Sequence, residues 1–356
     1  MRFFLLCLLI SLIRMNSIHI VSIPYNPKYQ RPYPNITFVN EQFSVHSFFN
    51  TFLPYSVFVK SNNPIIWKDK DIDFEIYNFH SVTNVQRITL SNYSAYFSKS
   101  LMDYKDLGIS LYHNYEDDSV SFIHQLYREG YIDKLQFIIE DQHNENGNIH
   151  FGGIPDRINI KTKNKSILPI NTNLPTWGFQ LTKLIIGGKS YDINLPCIIH
   201  TGLYRMIYSD EFFNIFENEL FKKDINNKRC EIINKESIGK SIECIEEVEI
   251  ENEIIEFDFN NVKIKLKIKD LFTPYNSSFF NSNPYKNYNF TGLIFGYKFL
   301  SLFDLTVFNY HNHDITFYSD KIQMYSYPNI YIIIYITITI ICSINSISYF
   351  VLFKYK

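Results

Sequence analysis

The sequence predicts a mainly β body with a few short helices, lying between two apolar ends. Short segments in which apolar and polar residues alternate begin near Gln42 and recur as far as Ser319, a pattern typical of strands. Two segments with apolar residues at helical spacing interrupt them. Both ends of the chain consist mainly of apolar residues, so we expect membrane-targeting segments around the β body.

Length and charge limit the classes of function. A chain of 356 residues is long enough for one large domain or two ordinary ones with a real core. It has 34 Lys and Arg against 36 Asp and Glu, a formal net charge of −2. Because no basic stripe accompanies this balance, nucleic acid is not expected as a partner.

The first residues form the pattern of a secretory signal peptide. Met1-Arg2 gives a charged start, and Phe3–Ile13 is apolar but too short to cross a bilayer, which predicts a signal peptide over residues 1–18. A buried apolar helix is the alternative.

The last residues predict a membrane anchor. Ile330–Phe353 contains no charged residue and is long enough for a transmembrane helix over residues 330–353. Lys354 and Lys356 follow in a short tail, 354–356, and a positive flank favours the cytosolic side. The predicted topology is a single-pass type I protein of the secretory pathway, in the plasma membrane or an endomembrane organelle. An exposed apolar helix or strand is the alternative.

Cysteines and glycosylation motifs are compatible with that route. Cys230 and Cys244 flank a polar loop and could form one disulfide in an oxidising compartment. Cys197 lies in an apolar run and is expected to be a buried free thiol. Asn-X-Ser/Thr triplets, candidate glycosylation sites, occur at Asn35, Asn92, Asn164, Asn276 and Asn289.

The first third of the chain is a series of predicted strands. Phe43–Ser47 and Tyr55–Val59 alternate around a predicted turn at Asn50–Pro54. Asp73–Tyr77 and Val82–Leu90 are two further predicted strands. This part of the chain is therefore expected to form sheet.

A helix and a connection follow. Ser119–Gly130 has apolar residues at helical spacing and ends at glycine, and Leu135–Glu140 and Ile149–Ile154 predict strands. Lys161–Pro175 is polar with two prolines. It is the best boundary between two structural units.

The second half contains a hairpin that leads into a short turn. Trp177–Leu184 and Ser190–Ile193 flank a Gly187-Gly188 turn, and Pro196–Gly202 ends in His200-Thr201-Gly202. The later predicted elements are a helix over Ser209–Phe221 capped by Ser209 or Asp210, a strand pair over Phe257–Ile268, and closing strands at Gly292–Gly296, Leu305–Asn309 and Ile315–Phe317.

In their order and spacing, these motifs resemble the pepsin-like aspartic peptidases over roughly residues 42–319. The resemblance implies a two-lobed double β-barrel, with an N-terminal lobe at 41–160 and a C-terminal lobe at 170–322. It implies no cofactor and no metal, a monomer, and a peptide or protein ligand in the groove between the lobes. The family's flap, a hairpin whose tyrosine closes over the substrate, has no counterpart we can assign between Trp67 and Val82, so the flap is predicted to be missing.

Each lobe of that family carries an Asp-Thr-Gly turn. Aligned on Trp67, the first turn falls on Lys60, Ser61 and Asn62, and the second falls on the residues His200-Thr201-Gly202. Ser61 and Thr201 keep a hydroxyl at both positions where the family's threonines hydrogen-bond across the lobes. Gly202 keeps the turn, and Asn62 tolerates a left-handed conformation. The alternative is that these four are ordinary turn residues.

The family's chemistry needs two carboxylates that share one proton. With Lys60 and His200 at those positions, the prediction is a membrane-anchored homologue without peptidase activity that retains a peptide-binding groove. One alternative is an active endopeptidase with non-standard catalytic residues, for instance Ser61 with His200. The other is a structural cell-surface protein whose fold is a relic.

Overall fold

A computed structural model describes the chain at residues 20–25, 35–38, 43–46, 49–51, 56–59, 65–78, 81–98, 109–113, 121–141, 147–174, 176–203, 206–235, 239–244, 253–260, 262–271, 279–281, 292–326 and 338–342. Over these residues the protein is mainly β with a few short helices, so the predicted fold class is confirmed. The N-terminal strands are β1 (Val21–Tyr25), β2 (Asn35–Phe38), β3 (Phe43–His46), β4 (Phe49–Asn50), β5 (Ser56–Val59), β6 (Ile65–Asn78), β7 (Ser81–Ser98), β8 (Ile109–Ser110), β9 (Gln136–Asp141) and β10 (Gly147–Phe151).

Thirteen further strands are described after residue 160. They are β11 (Asn164–Pro169), β12 (Gly178–Ile186), β13 (Lys189–His200), β14 (Ile207–Tyr208), β15 (Cys230–Lys235), β16 (Gly239–Cys244), β17 (Ile254–Asp258), β18 (Val262–Lys267), β19 (Phe279–Asn281), β20 (Leu293–Gly296), β21 (Leu305–Asn309), β22 (Asp314–Ser319) and β23 (Gln323–Ser326). The helices are α1 (Phe122–Arg128), α2 (Asp210–Phe216), a π-helical turn (Glu217–Phe221), α3 (Lys222–Asn226), α4 (Ile268–Leu271) and α5 (Tyr297–Leu300).

A six-stranded sheet joins the two halves of the chain, in the order β1-β10-β9-β21-β22-β11. Its central contact is the antiparallel pairing of β9 from the first half with β21 from the second. There Phe137 and Phe308 are register partners, and their rings stack at 4.3 Å between centroids. Because stacked, buried aromatic pairs contribute beyond their area, the two halves share one core at this sheet.

The second half forms a ten-stranded sheet, in the order β15-β16-β19-β14-β20-β13-β12-β17-β18-β23. Its predicted turns and caps are confirmed. Gly187 and Gly188 both have positive φ between β12 and β13, a conformation that costs glycine little. The Ser209 hydroxyl caps α2 by accepting from the Phe212 N–H. Asn260, with φ 71°, lies between β17 and β18.

The predicted pairing of two cysteines is also confirmed. Cys230 on β15 and Cys244 on β16 are register partners and form a disulfide. Cys197 is a buried free thiol, as predicted, and burial raises its pKa well above the ordinary value.

The first half contributes a five-stranded sheet, β3-β2-β6-β7-β5, and a two-stranded sheet, β4-β8. β6 and β7, of 14 and 18 residues, form the longest hairpin among the described elements, and Asn78 pairs with Ser81 beside its tip. This hairpin contains the residues between Trp67 and Val82, where no counterpart of the flap can be assigned from the sequence. The absence of a flap, which concerns what covers a groove, stays a prediction.

The two apolar ends lie mostly outside the described residues. The predicted signal peptide over 1–18 is outside them, and of the predicted anchor over 330–353 only residues 338–342, an exposed helical turn, are described. In the described part of the chain, no helix combines the length and apolarity that a membrane crossing requires.

Candidate functional site

The His200-Thr201-Gly202 turn lies at the end of β13, inside the ten-stranded sheet. β13 runs antiparallel to β12 and parallel to β20, which places His200 beside Gly296. Residues 198–201 are fully buried. The apolar run before the turn therefore anchors it in the core of the second half.

Four hydrogen bonds join the turn at Thr201 to the residues around Thr51 in the first half, and two of them link the two threonines directly. The Thr51 N–H donates to Thr201 Oγ1 at 3.1 Å, and the Thr201 N–H donates to Thr51 Oγ1 at 3.1 Å. The Thr51 hydroxyl donates to the Ile199 carbonyl at 2.8 Å, and the Thr201 hydroxyl donates to the Phe49 carbonyl at 2.7 Å. Both threonines are fully buried, where satisfied polar networks make a rigid joint.

This exchange is symmetric, and the strands around it repeat the symmetry. Each hydroxyl donates to the carbonyl two residues before the opposite threonine. Asn50 precedes Thr51 on β4, which pairs in parallel with β8 so that Asn50 lies opposite Ser110. In the same way His200 precedes Thr201 on β13 and lies opposite Gly296 on the parallel strand β20. The first-half position that corresponds to His200 is thus Asn50.

The alignment on Trp67 predicts Ser61 opposite Thr201, whereas the hydrogen bonds of Thr201 are made with Thr51 and Phe49. Thr51 supplies the hydroxyl across from Thr201, and it lies ten residues before Ser61. The sequence does not indicate Thr51 because its neighbours, Asn50 and Phe52, are neither the aspartate nor the glycine of the family's turn. Lys60, Ser61 and Asn62 lie outside the described residues.

A local signal could have found the first turn. Phe48-Phe49-Asn50-Thr51 repeats the order apolar, apolar, polar, threonine of Ile198-Ile199-His200-Thr201. Phe49-Asn50 and Ile199-His200, the middle two residues of each run, end a strand in each half.

The hydrogen bonding of His200 fixes its tautomer. The backbone N–H of Gly202 donates to His200 Nδ1 at 3.1 Å. A backbone N–H can only donate, so Nδ1 presents a lone pair and the ring proton sits on Nε2. In this state the ring is neutral, and Nε2 can donate a hydrogen bond but cannot accept a proton.

Side chains of the second half support the first turn. The Thr176 hydroxyl donates to the Thr51 carbonyl, next to the threonine exchange. Trp177 Nε1 and the Tyr310 hydroxyl each donate to the Leu111 carbonyl at 2.9 Å. Leu111 directly follows β8, so the strand beside Asn50 is held by side chains of the second half.

A buried carboxylate lies behind the second turn. Tyr297, at the start of α5, donates its N–H to the Leu203 carbonyl at 2.6 Å and its hydroxyl to Asp141 Oδ2 at 2.7 Å. Asp141 is 5% exposed and ends β9. This contact ties the six-stranded sheet to the residue after Gly202.

A second buried polar network lies on β1, β9 and β10. Ser22 Oγ is 2.7 Å from His150 Nδ1, and His150 Nε2 is 2.9 Å from Glu140 Oε2. Arg157 donates to both oxygens of Glu140, and Asn148 donates to Oε2. Serine, histidine and acid in series also occur in hydrolases, which need oxyanion donors as well. Here the carboxylate is shared among several donors and His150 is buried, so the network joins three strands.

Across the described ranges of the chain, no group of three or more His, Cys, Asp or Glu side chains is placed to hold a metal ion.

The fold is similar to solved structures of an aspartic proteinase and of seed globulins. The aspartic proteinase from Irpex lacteus matches with a TM-score of 0.60 at 12% identity, over 85% of this chain and 98% of that one. Conglutin gamma, a basic 7S globulin from lupine seeds, matches with a TM-score of 0.60 at 11% identity, over 85% and 96%. Basic 7S globulin from soybean matches with a TM-score of 0.56 at 12% identity, over 85% and 95%.

No protein-family model and no curated protein matches the sequence. At these identities the structural matches establish a pepsin-like fold, and a fold of this kind does not by itself determine an activity.

Proposed function

We propose that this protein is a pepsin-like homologue that binds an extended peptide or protein segment between its lobes and does not hydrolyse it. The observation that carries the proposal is the exchange between Thr51 and Thr201. It supports assigning Asn50 and His200 to the two positions at which the pepsin-like family has its aspartates, and neither residue is a carboxylate.

Peptide hydrolysis in that family begins when an ionised carboxylate takes a proton from a bound water and a protonated one donates to the scissile carbonyl. The amide of Asn50 does not titrate and cannot take that proton. His200 holds its ring proton on Nε2, because Nδ1 accepts from Gly202. The pair therefore offers donors and no base.

Peptide binding has different requirements, and the joint between the two turns is compatible with them. The buried threonine exchange that fixes both turns is complete. An extended ligand is held mainly by main-chain hydrogen bonds along its length, which need no carboxylate pair.

A peptide-library digestion tests the absence of hydrolysis. The full-length protein is incubated with the library between pH 3 and pH 7, an active pepsin-like peptidase serves as positive control, and products are read by mass spectrometry. We expect no cleavage above that of a heat-denatured sample. Cleavage that disappears in His200→Ala overturns the proposal and favours the rearranged endopeptidase, and the Ser61→Ala variant shows whether that serine takes part.

Retention on an immobilised statine-type inhibitor tests the groove. We expect the folded protein to be retained and to be eluted by the free inhibitor. Failure of a folded sample to bind this resin and any peptide of the library supports the third reading, a structural protein with a relic fold.

The proposed location is the secretory route, with the body on the luminal or extracellular side. It rests on the apolar residues 3–13 and 330–353 and on the Cys230–Cys244 disulfide, which suits an oxidising compartment. A glycosidase-induced shift in apparent mass that is reduced in Asn164→Gln, together with resistance to carbonate extraction, is the expected result. Extraction of the full-length chain by carbonate contradicts the anchor.

A further inference from the structure

Two histidines meet in a buried aromatic cluster outside the two turns. His113 is 2% exposed. Its ring stacks on Tyr310 at 5.0 Å and meets the edge of Trp177 at 4.8 Å between centroids. His113 Nε2 lies 3.1 Å from Nδ1 of His313, an exposed residue in the turn between β21 and β22.

A hydrogen bond between two imidazoles needs one donor and one acceptor. It therefore exists when both rings are neutral or when one is protonated. It cannot exist when both are protonated, because two N–H groups and two positive charges then face each other. The two rings are hydrogen-bonded at neutral pH and repel each other when both are protonated.

The environment of His113 determines the pH at which this ring takes up a proton. Burial lowers the pKa of His113 to about 4, the neighbouring His313 and His124 also lower it, and the backbone of Tyr310 acts in the opposite direction. His124, on α1, meets the edge of Tyr310 at 5.0 Å.

Charged groups also lie on the strands next to this turn. Asp314 follows His313 directly, and Lys165 on β11 is a cation that acts on its carboxyl. Burial raises the pKa of Asp314, so this carboxyl loses charge early as the pH falls and compensates less for a protonated histidine.

The histidine pair connects to the first turn through a short segment. In the segment 109–113, His113 follows Ser110 by three residues. Ser110 of this segment pairs with Asn50, and Leu111 receives the hydrogen bonds from Trp177 and Tyr310. His113 is therefore linked through this short segment to the strand beside Asn50.

We propose that the His113–His313 pair is an acid-sensitive latch, which fastens residues 109–113 to the turn between β21 and β22 at neutral pH and releases them when both imidazoles are protonated. Release loosens the strand that holds Asn50, so the first turn is rigid near neutral pH and mobile in strong acid. The latch does not depend on the function proposed above.

Trp177 reports directly on His113, because a protonated imidazole in contact with an indole quenches its fluorescence. The chain has two tryptophans, so the full-length Trp67→Phe variant leaves Trp177 as the single reporter. Between pH 7 and pH 3 we expect its emission to fall with a midpoint near the pKa of His113, about 4. In the same range, hydrogen exchange of residues 109–113, corrected for the intrinsic rate, should rise several-fold.

Two variants in the same background decide between a latch and a simple contact. In His313→Asn the repulsion is gone, so the quenching midpoint should move to higher pH while the exchange step of residues 109–113 disappears. The exposed His311→Asn, in the same turn, should leave both unchanged. The latch is overturned if His313→Asn behaves like His311→Asn, or if quenching persists in His113→Asn. Because His313 is on the surface, its variant gives an answer even if His113→Asn does not fold.

Discussion

The hydroxyl of Thr201 accepts from the Thr51 N–H and donates to the Phe49 carbonyl, so its removal leaves two buried backbone groups of the other half without these partners. Each such group costs about 1–3 kcal/mol when unsatisfied. We expect Thr201→Val, which keeps the shape of the side chain, to lower the free energy of unfolding by about 3 kcal/mol in urea denaturation. Thr201→Ser retains the hydroxyl and should lose much less. Equal stability of the two variants contradicts this account.

The same assay tests which residue of the first half faces Thr201. Thr51→Val should be about as destabilising as Thr201→Val, because it removes the symmetric pair of hydrogen bonds. Ser61→Ala should change the midpoint of unfolding little. The opposite order of effects would restore the alignment of Lys60 and Ser61 with the first turn.

The Cys230–Cys244 disulfide closes a loop with a sequence separation of 14. Because such a cross-link restricts the unfolded chain, it stabilises the folded state by roughly 3 kcal/mol. We expect the double variant Cys230→Ser with Cys244→Ser to unfold at lower urea concentration and to be insensitive to reductant. Cys197→Ala keeps the disulfide and serves as the control, whose midpoint should still fall on reduction. A wild-type midpoint that does not respond to reductant contradicts the prediction.

The β17–β18 hairpin should make stability depend on pH. Burial raises the pKa of Glu256, but Lys263 and Lys265, at 3.0 and 3.1 Å, outweigh it and hold the pKa below the ordinary 4.5. A carboxyl with a depressed pKa adds stability above its unfolded pKa and loses it as the pH falls through the folded value. Between pH 6 and pH 3, wild-type stability should therefore fall more steeply than that of Glu256→Gln. The exposed Glu231→Gln should follow the wild-type slope, and a Glu256→Gln curve parallel to wild type argues against the prediction.

The network around Glu140 gives a further prediction. Arg157 is half exposed, yet its guanidinium holds both oxygens of a carboxylate that is 8% exposed. Arg157→Ala leaves this buried charge with fewer donors and should cost about 2 kcal/mol in the free energy of unfolding. Arg128→Ala, at an exposed helix end, is the matched control and should cost little. If the two variants are equally stable, the network does not stabilise the three strands it joins.

The sequence correctly predicts those local structures that one residue type strongly favours. The Gly187-Gly188 turn, the Ser209 cap and the Cys230–Cys244 pair are all confirmed. Each depends on backbone geometry or chemistry that few other residues supply.

Sequence-based prediction failed at the first turn, where no residue type favours one local structure so strongly. Asn50-Thr51 has neither the aspartate nor the glycine that marks such a turn. An alignment based on Trp67 therefore selects Ser61, ten residues after Thr51. Only the long-range hydrogen bonds, between residues 150 positions apart, identify the partner of Thr201. Short strands such as β4 and β8, of two residues each, are also too short for periodicity to detect.

The six-stranded sheet has a consequence for how the chain can be made. Its neighbouring strands β9 and β21 come from opposite halves of the sequence. Strand β9 is therefore synthesised long before its partner β21. A fragment ending near residue 160 would expose the unpaired edge of β9, and open edges of this kind recruit other chains. Co-translational folding of the first half alone should thus be unproductive, and expression as separate lobes should give aggregates. Contacts so distant in sequence also predict slow folding, on the scale of mixed and all-β topologies.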